Sequence, residues 1–124
     1  MFSHVMLGTN NLDRAKTFYD AVLGTLGIAP GVVDRHRIFW RTPTGVFSMS
    51  LPIDGQPATV ANGSTIGFAC SSAEQADAWH AAGVAAGGKA IEDPPGVREA
   101  GFGKLYLAYL RDPDGNKLCA LHRM

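Results

Sequence analysis

The chain has 124 residues, close to one average domain, and 46% hydrophobic against 18% charged side chains describe a globular protein with one real core. Eleven Lys and Arg balance eleven Asp and Glu, which argues against a nucleic-acid binder or a polybasic membrane-surface protein. No apolar run approaches the roughly 18 residues of a membrane span, and two cysteines cannot form a disulfide framework.

The chain opens on Met1-Phe2-Ser3-His4, which leads into strand-like alternation over about residues 3–9 with no basic or apolar leader. The cytoplasm is therefore the expected location. A helix follows, with Asn11 as N-cap and Leu12, Ala15, Phe18, Tyr19, Val22, Leu23 and Leu26 recurring at helical spacing until Gly27 stops it. Three strands come next, the last two joined by Thr42-Pro43-Thr44-Gly45, a tight turn in which Pro presets φ and Gly accepts a positive one.

The pattern then repeats. A shift of 61 residues lays His4-Val5-Met6-Leu7-Gly8 over Thr65-Ile66-Gly67-Phe68-Ala69, Phe18 over Trp79 and Gly27 over Gly88. A shift of 70 lays Arg41-Thr42-Pro43-Thr44-Gly45 over Arg111-Asp112-Pro113-Asp114-Gly115, with Met49 over Cys119. The second copy thus opens on a strand over about residues 64–70. Ser72 and Gln75 stand in capping-box spacing, and Ala76, Trp79 and Gly83 share one helix face. Its extra residues lie around Glu92 to Lys104. Two copies, about 1–60 and 61–124, are too few for a solenoid. They predict a single α+β domain, 1–124, of two βαβββ modules.

These segments resemble the vicinal oxygen chelate superfamily, which includes glyoxalase I, extradiol dioxygenases and bleomycin-resistance proteins. His4-Val5-Met6-Leu7, Asn11-Leu12-Asp13-Arg14-Ala15, Phe18-Tyr19 and Leu23-Gly24 resemble its opening strand and helix, and Arg111 to Leu118 resemble its closing hairpin. The resemblance covers essentially the whole chain. It implies that the two modules form a curved mixed sheet around a cavity, on whose concave surface His, Glu, His (or Gln) and Glu from the first and last strands of each repeat hold a divalent metal. Such an ion polarises two neighbouring substrate oxygens as a Lewis acid. The resemblance also implies a twofold homodimer.

Carried over, the four metal positions are His4, Met49 (or Ser48 if the register slips by one), Thr65 and Cys119. Only His4 matches. His4 with a Cys119 thiolate offers zinc two protein ligands where catalytic sites normally supply three. No metal or other cofactor is therefore expected, although the four positions keep a divalent ion in view.

The expected cavity lining is His4, Met6, Phe47, Met49, Thr65, Cys119 and Arg98. His4, as a base, and Cys119, as a nucleophile, are the catalytic candidates, each weighed against an ordinary structural role. Cys70 is expected on the opposite side of the sheet from Cys119, which precludes a bridge. Arg35, Arg37 and Arg41, together with Arg98 or Lys104, either line the cavity mouth and favour an anionic ligand or are solvated strand charges. Phe39, Trp40, Tyr106 and Tyr109 are core strand aromatics unless they face the cavity, where they suit an apolar small molecule. The segment Pro94 to Gly103 is either a lid or a plain hairpin excursion. His80 and His122 receive no role.

Three functions compete. The first is a metal-free small-molecule binder of the glyoxalase/bleomycin-resistance type. The second is a lyase, isomerase or dioxygenase-like enzyme with a residual metal or His4 as base. The third is a structural dimer subunit without a ligand.

Overall fold

The computed structural model describes residues 1–101 and 103–124. Its first half runs β1 (His4–Gly8), α1 (Leu12–Gly24), β2 (Val32–Asp34), β3 (Arg37–Thr42) and β4 (Gly45–Ser50). The second half runs β5 (Ile66–Ala69), α2 (Ala73–Ala85), β6 (Lys89–Ala90), β7 (Gly96–Ala100), β8 (Gly103–Arg111) and β9 (Lys117–Arg123). Each half builds its own mixed sheet, β1-β4-β3-β2 and β5-β9-β8-β6, in which the opening strand lies parallel to the closing one. This is the α+β pattern of paired βαβββ units that the repeats predict.

The second half carries one strand more. β6 and β7 both pair antiparallel with β8, at Lys89↔Arg111 and Gly96↔Leu107, so one edge strand is split into two pieces. The residues predicted as an insertion are thus largely a hairpin, with Gly96–Ala100 folded against Gly103–Leu107. Phe102, which belongs to the predicted lid segment, lies outside the described residues.

Both helices start as their sequences dictate. The Asn11 side chain accepts from the Arg14 N–H at 2.9 Å, and the Ser72 hydroxyl accepts from the Gln75 N–H at 3.0 Å. Gln75 reaches back to the Ser71 N–H, one residue earlier than a standard capping box would place it. α1 ends where Gly27 turns to φ +80° and the Ile28 N–H returns to the Leu23 carbonyl. After α2 the left-handed position falls on Gly87, at φ +99°, and not on Gly88. Gly88 serves close approach instead. A Cβ there would stand 2.6 Å from the Phe18 ring and 2.9 Å from the Gly83 carbonyl.

The helices meet each other between the sheets' inner faces. Phe18 and Val22 of α1 pack over Gly83 of α2, beside Leu110 of β8. A run of aromatic rings then spans both halves: Trp40, Tyr19, Phe47, Phe68 and Trp79, with successive centroids 4.7 to 6.3 Å apart. Asp20 closes the α1–β2 connection by accepting from the Gly31 N–H at 2.8 Å and from the Trp40 indole at 2.9 Å.

A polar clip reinforces this core. Tyr19 donates its hydroxyl to Asp112 at 2.6 Å, and Asp112 also accepts from the N–H groups of Asp114 and Asn116. Asp114 accepts from the Thr9 hydroxyl at 2.6 Å, the Asn10 N–H at 2.9 Å and Arg14 at 2.8 Å. Asn116 donates to the Gly8 carbonyl at the end of β1. Burial, and then the nearby Asp112 charge, push the Tyr19 phenol well above its usual range, so it remains a donor.

Two glycine substitutions separate packing from backbone freedom. Gly88→Ala should destabilise by about 1–3 kcal/mol, because backbone oxygens crowd the new methyl. Gly24→Ala, at a helical position with nothing within 4 Å of the added Cβ, should stabilise by up to about 1 kcal/mol. Urea unfolding of the two variants measures both signs.

Candidate functional site

Side chains on a strand alternate between faces, so register decides which residues can meet. In the first sheet Val5 pairs with Phe47 and Leu7 with Met49, while Ile38 and Trp40 continue the same rows on β3. These side chains face α1 and belong to the shared core. The opposite face carries His4, Met6 and Gly8 from β1, Ser48 and Ser50 from β4, and Arg37, Phe39 and Arg41 from β3.

Two of the residues expected to line a cavity with His4, Met49 and Phe47, therefore point to the other side of the sheet, although Phe47 still shares a cavity wall with His4. Met49 is fully buried against α1, because it is an odd number of residues from the positions that share His4's face. Phe47 also points to the helix side, although it reaches the wall of a cavity there. Ser48, the alternative one register step away, does share the His4 face. It is fully buried and donates its hydroxyl to the Val5 carbonyl at 2.8 Å. His4 itself is exposed, with Nδ1 2.8 Å from the Ser3 hydroxyl.

In the second sheet Ile66 pairs with Leu118 and Phe68 with Ala120 on the α2 side, which leaves Gly67 and Cys119 on the other. Cys119 is 5% exposed and forms a separate apolar cluster with Leu105 and Leu107. Burial raises its thiol pKa above the usual value, against the pull of the hydrogen-bonding Tyr109 hydroxyl. Lys117 lies over the Tyr109 ring, 5.1 Å from its centroid, and pairs with Glu92. Thr65 is exposed immediately before β5. Arg98 shares the Cys119 face by register, but its guanidinium donates to the carbonyls of Asp93 and Pro94 at 3.1 and 3.0 Å and ties off that loop.

Two cavities flank the first sheet. The larger, about 560 Å³, opens between the start of β1 and the whole of β5, with His4, Val5, Phe47 and Phe68 in its wall. The second, about 390 Å³, lies at the far end of the His4 face under the 51–59 connection and is lined by Met6, Arg37 and Ser50 among others. Cys119, Thr65 and Arg98 line neither. The composition of the His4 face is legible from the alternation Arg37-Ile38-Phe39-Trp40-Arg41, but nothing in the sequence separates Arg37 from the exposed Arg41.

The donors do not fit a divalent ion. The four positions present one imidazole, two neutral hydroxyls and a buried thiol, where a hard cation needs charged oxygens to offset its dehydration. Among the described residues no three His, Cys, Asp or Glu side chains converge.

The sequence matches the Glyoxalase/Bleomycin resistance protein/Dioxygenase superfamily over residues 1–120, and the chain belongs to that family. It is similar to a glyoxalase/bleomycin resistance protein from Albidiferax ferrireducens T118, at 65% identity and a TM-score of 0.98 over 99% of both chains. A glyoxalase-related enzyme from Fulvimarina pelagi shares the fold at 19% identity and a TM-score of 0.75, over 99% of this chain and 88% of that one. A lactoylglutathione lyase from Agrobacterium tumefaciens does so at 20% identity and 0.68, over 98% and 92%. No curated protein matches the sequence. Among the described residues no helix is long and apolar enough to cross a membrane.

Both cysteines are free, Cys70 in the shared core and Cys119 in the second cluster. Burial raises both thiol pKa values, so the thiolate fraction is small at neutral pH. Native protein should react with a chromogenic disulfide reagent at pH 8 at least tenfold more slowly than protein unfolded in guanidinium. Two rapidly titrating thiols in the native state would contradict the burial.

Proposed function

We propose that the protein binds a small organic molecule on the concave face of its sheets, without coordinating a divalent ion, as a cytoplasmic homodimer of one-domain chains. The observation that supports this reading is the donor set. His4, Thr65, Cys119 and either Met49 or Ser48, the latter on the His4 face, stand at the positions where the family resemblance implies two imidazoles (or one and an amide) and two carboxylates. Loss of a single supporting group around a metal already costs 10–100-fold in affinity, and here three of the ligands themselves differ. The apolar cavity walls support retention of a ligand after loss of the metal.

The homodimer reading is supported by the sheet edges. β1 and β5 each have one strand partner, and Met1 and Phe2 are exposed beside them in the rim of the larger cavity. Open edges and apolar rims favour pairing with another copy.

Elemental analysis of protein purified without chelator tests the metal-free reading. Well below one equivalent of Ni, Zn, Mn, Fe or Co per chain is expected, and a stoichiometric divalent metal would overturn it. Light scattering on the same sample should give twice the 13.1 kDa chain mass. A mass of one chain at micromolar concentration would reject the dimer.

A further inference from the structure

We infer that the His4 face carries an anion-binding subsite at Arg37, and that the ligand is an organic carboxylate seated with its apolar part near Met6. This rests on the small-molecule reading above and specifies its chemical class.

Arg37 stands at the start of β3, paired in register with Ser50 of β4, and both line the 390 Å³ cavity. Its Nε is buried and has no hydrogen-bond partner. Among the described residues, the ion pairs and side-chain hydrogen bonds involve no atom of this guanidinium. An always-charged group half removed from water ordinarily finds a carboxylate. Two acids are close enough in the fold to serve, and both are engaged elsewhere. Asp34, its register partner on β2, is largely exposed and takes the neighbouring Arg35 at 3.4 Å. Asp54, in the wall of the same cavity, accepts from the Gln56 N–H at 3.0 Å.

The rest of the face favours an external anion. No Asp or Glu projects from β1, β3 or β4 onto it. The second arginine on β3, Arg41, lies over the Phe39 ring, 4.7 Å from its centroid, and is likewise without a carboxylate. The Ser50 hydroxyl already donates to the Leu51 carbonyl, which leaves the guanidinium as the main donor for an incoming ligand. A planar fork of N–H groups matches a carboxylate bidentately. The apolar floor supplied by Met6, Pro52 and Pro57 would receive a hydrocarbon or aromatic body.

The test titrates benzoate and its neutral isostere benzamide into ¹⁵N-labelled protein and follows backbone and arginine Nε–H signals by NMR. Benzoate should bind saturably and at least tenfold more tightly than benzamide, and should shift the Arg37 Nε–H resonance. Arg37→Gln should bring the two dissociation constants within about twofold, whereas Arg35→Gln should leave the preference intact. Equal binding of the two probes, no saturable benzoate binding, or a preference that survives Arg37→Gln would each overturn the subsite. If Arg37→Gln does not fold, an Arg37 Nε–H signal unmoved by benzoate in the unmodified protein overturns it equally. The two readings fail separately. Benzamide binding as well as benzoate removes the anion site and keeps a small-molecule binder, while metal content decides the metal-free reading independently.

Discussion

The parallel pairing of β1 with β4, Leu7 opposite Met49, is the constraint from which the rest follows. It commits Val5, Leu7, Phe47 and Met49 to α1 and leaves His4, Met6, Ser48 and Ser50 on the other face. A one-residue slip would exchange the two sets, putting Met49 on the His4 face and two serines into the apolar core against α1. The polar clip from Asp112, Asp114 and Asn116 bears on the same strand. It holds the end of β1 through Gly8 and the start of α1 through Thr9, Asn10 and Arg14, so the face that carries His4 is presented by a strand fixed at its far end.

The two halves share a frame and differ in chemistry. In the closing hairpin the turn residues are Asp112, Asp114 and Asn116; their counterparts in the first half are Thr42, Thr44 and Val46. The carboxylates fill their junction with hydrogen bonds, whereas Thr42 bonds within its own turn, to Thr44 and to the Gly45 carbonyl. That neutral turn borders the larger cavity, next to Gly67 and Ala69 of β5. Two corresponding junctions of the repeat thus differ, one sealed by charge and one left open. The outer faces differ as well. On the second sheet Leu105, Leu107 and Cys119 cluster into a minor core, and on the first sheet the outer face carries Arg37, whose buried Nε has no hydrogen-bond partner among the described residues.

Much of this was legible in the sequence, for physical reasons that can be named. Helix periodicity, the Asn11 and Ser72 caps and the Pro-Gly turns are local signals, and each element appears where they place it. The repeat predicted the second half from the first, except for the split of its edge strand into β6 and β7, which depends on how 91–95 leaves the ladder. Placing Met49 beside His4 failed because parity between separate strands is set by pairing, not by sequence distance. Arg37 could not be singled out from Arg35 and Arg41 for a related reason. Its lack of a counter-charge depends on where Asp34 and Asp54 turn, which no spacing encodes. After α2 the left-handed conformation falls on Gly87, whereas Gly88 meets a different demand, the close approach of Phe18 and the Gly83 carbonyl.

On the proposed function, the four positions where the family resemblance implies metal ligands hold side chains unsuited to a divalent ion, with Ser48 rather than Met49 at the second. Calorimetric titration of Ni²⁺ into Ser48→Glu/Thr65→His/Cys119→Glu, compared with the same protein carrying Met49→Glu in place of Ser48→Glu, tests this most directly. The Ser48 version should bind Ni²⁺ saturably and lose that binding on addition of His4→Ala. The Met49 version should bind none, since its new carboxylate points into the core at α1 and away from His4. Nickel uptake by the Met49 version, or none by a folded Ser48 version, would contradict the account.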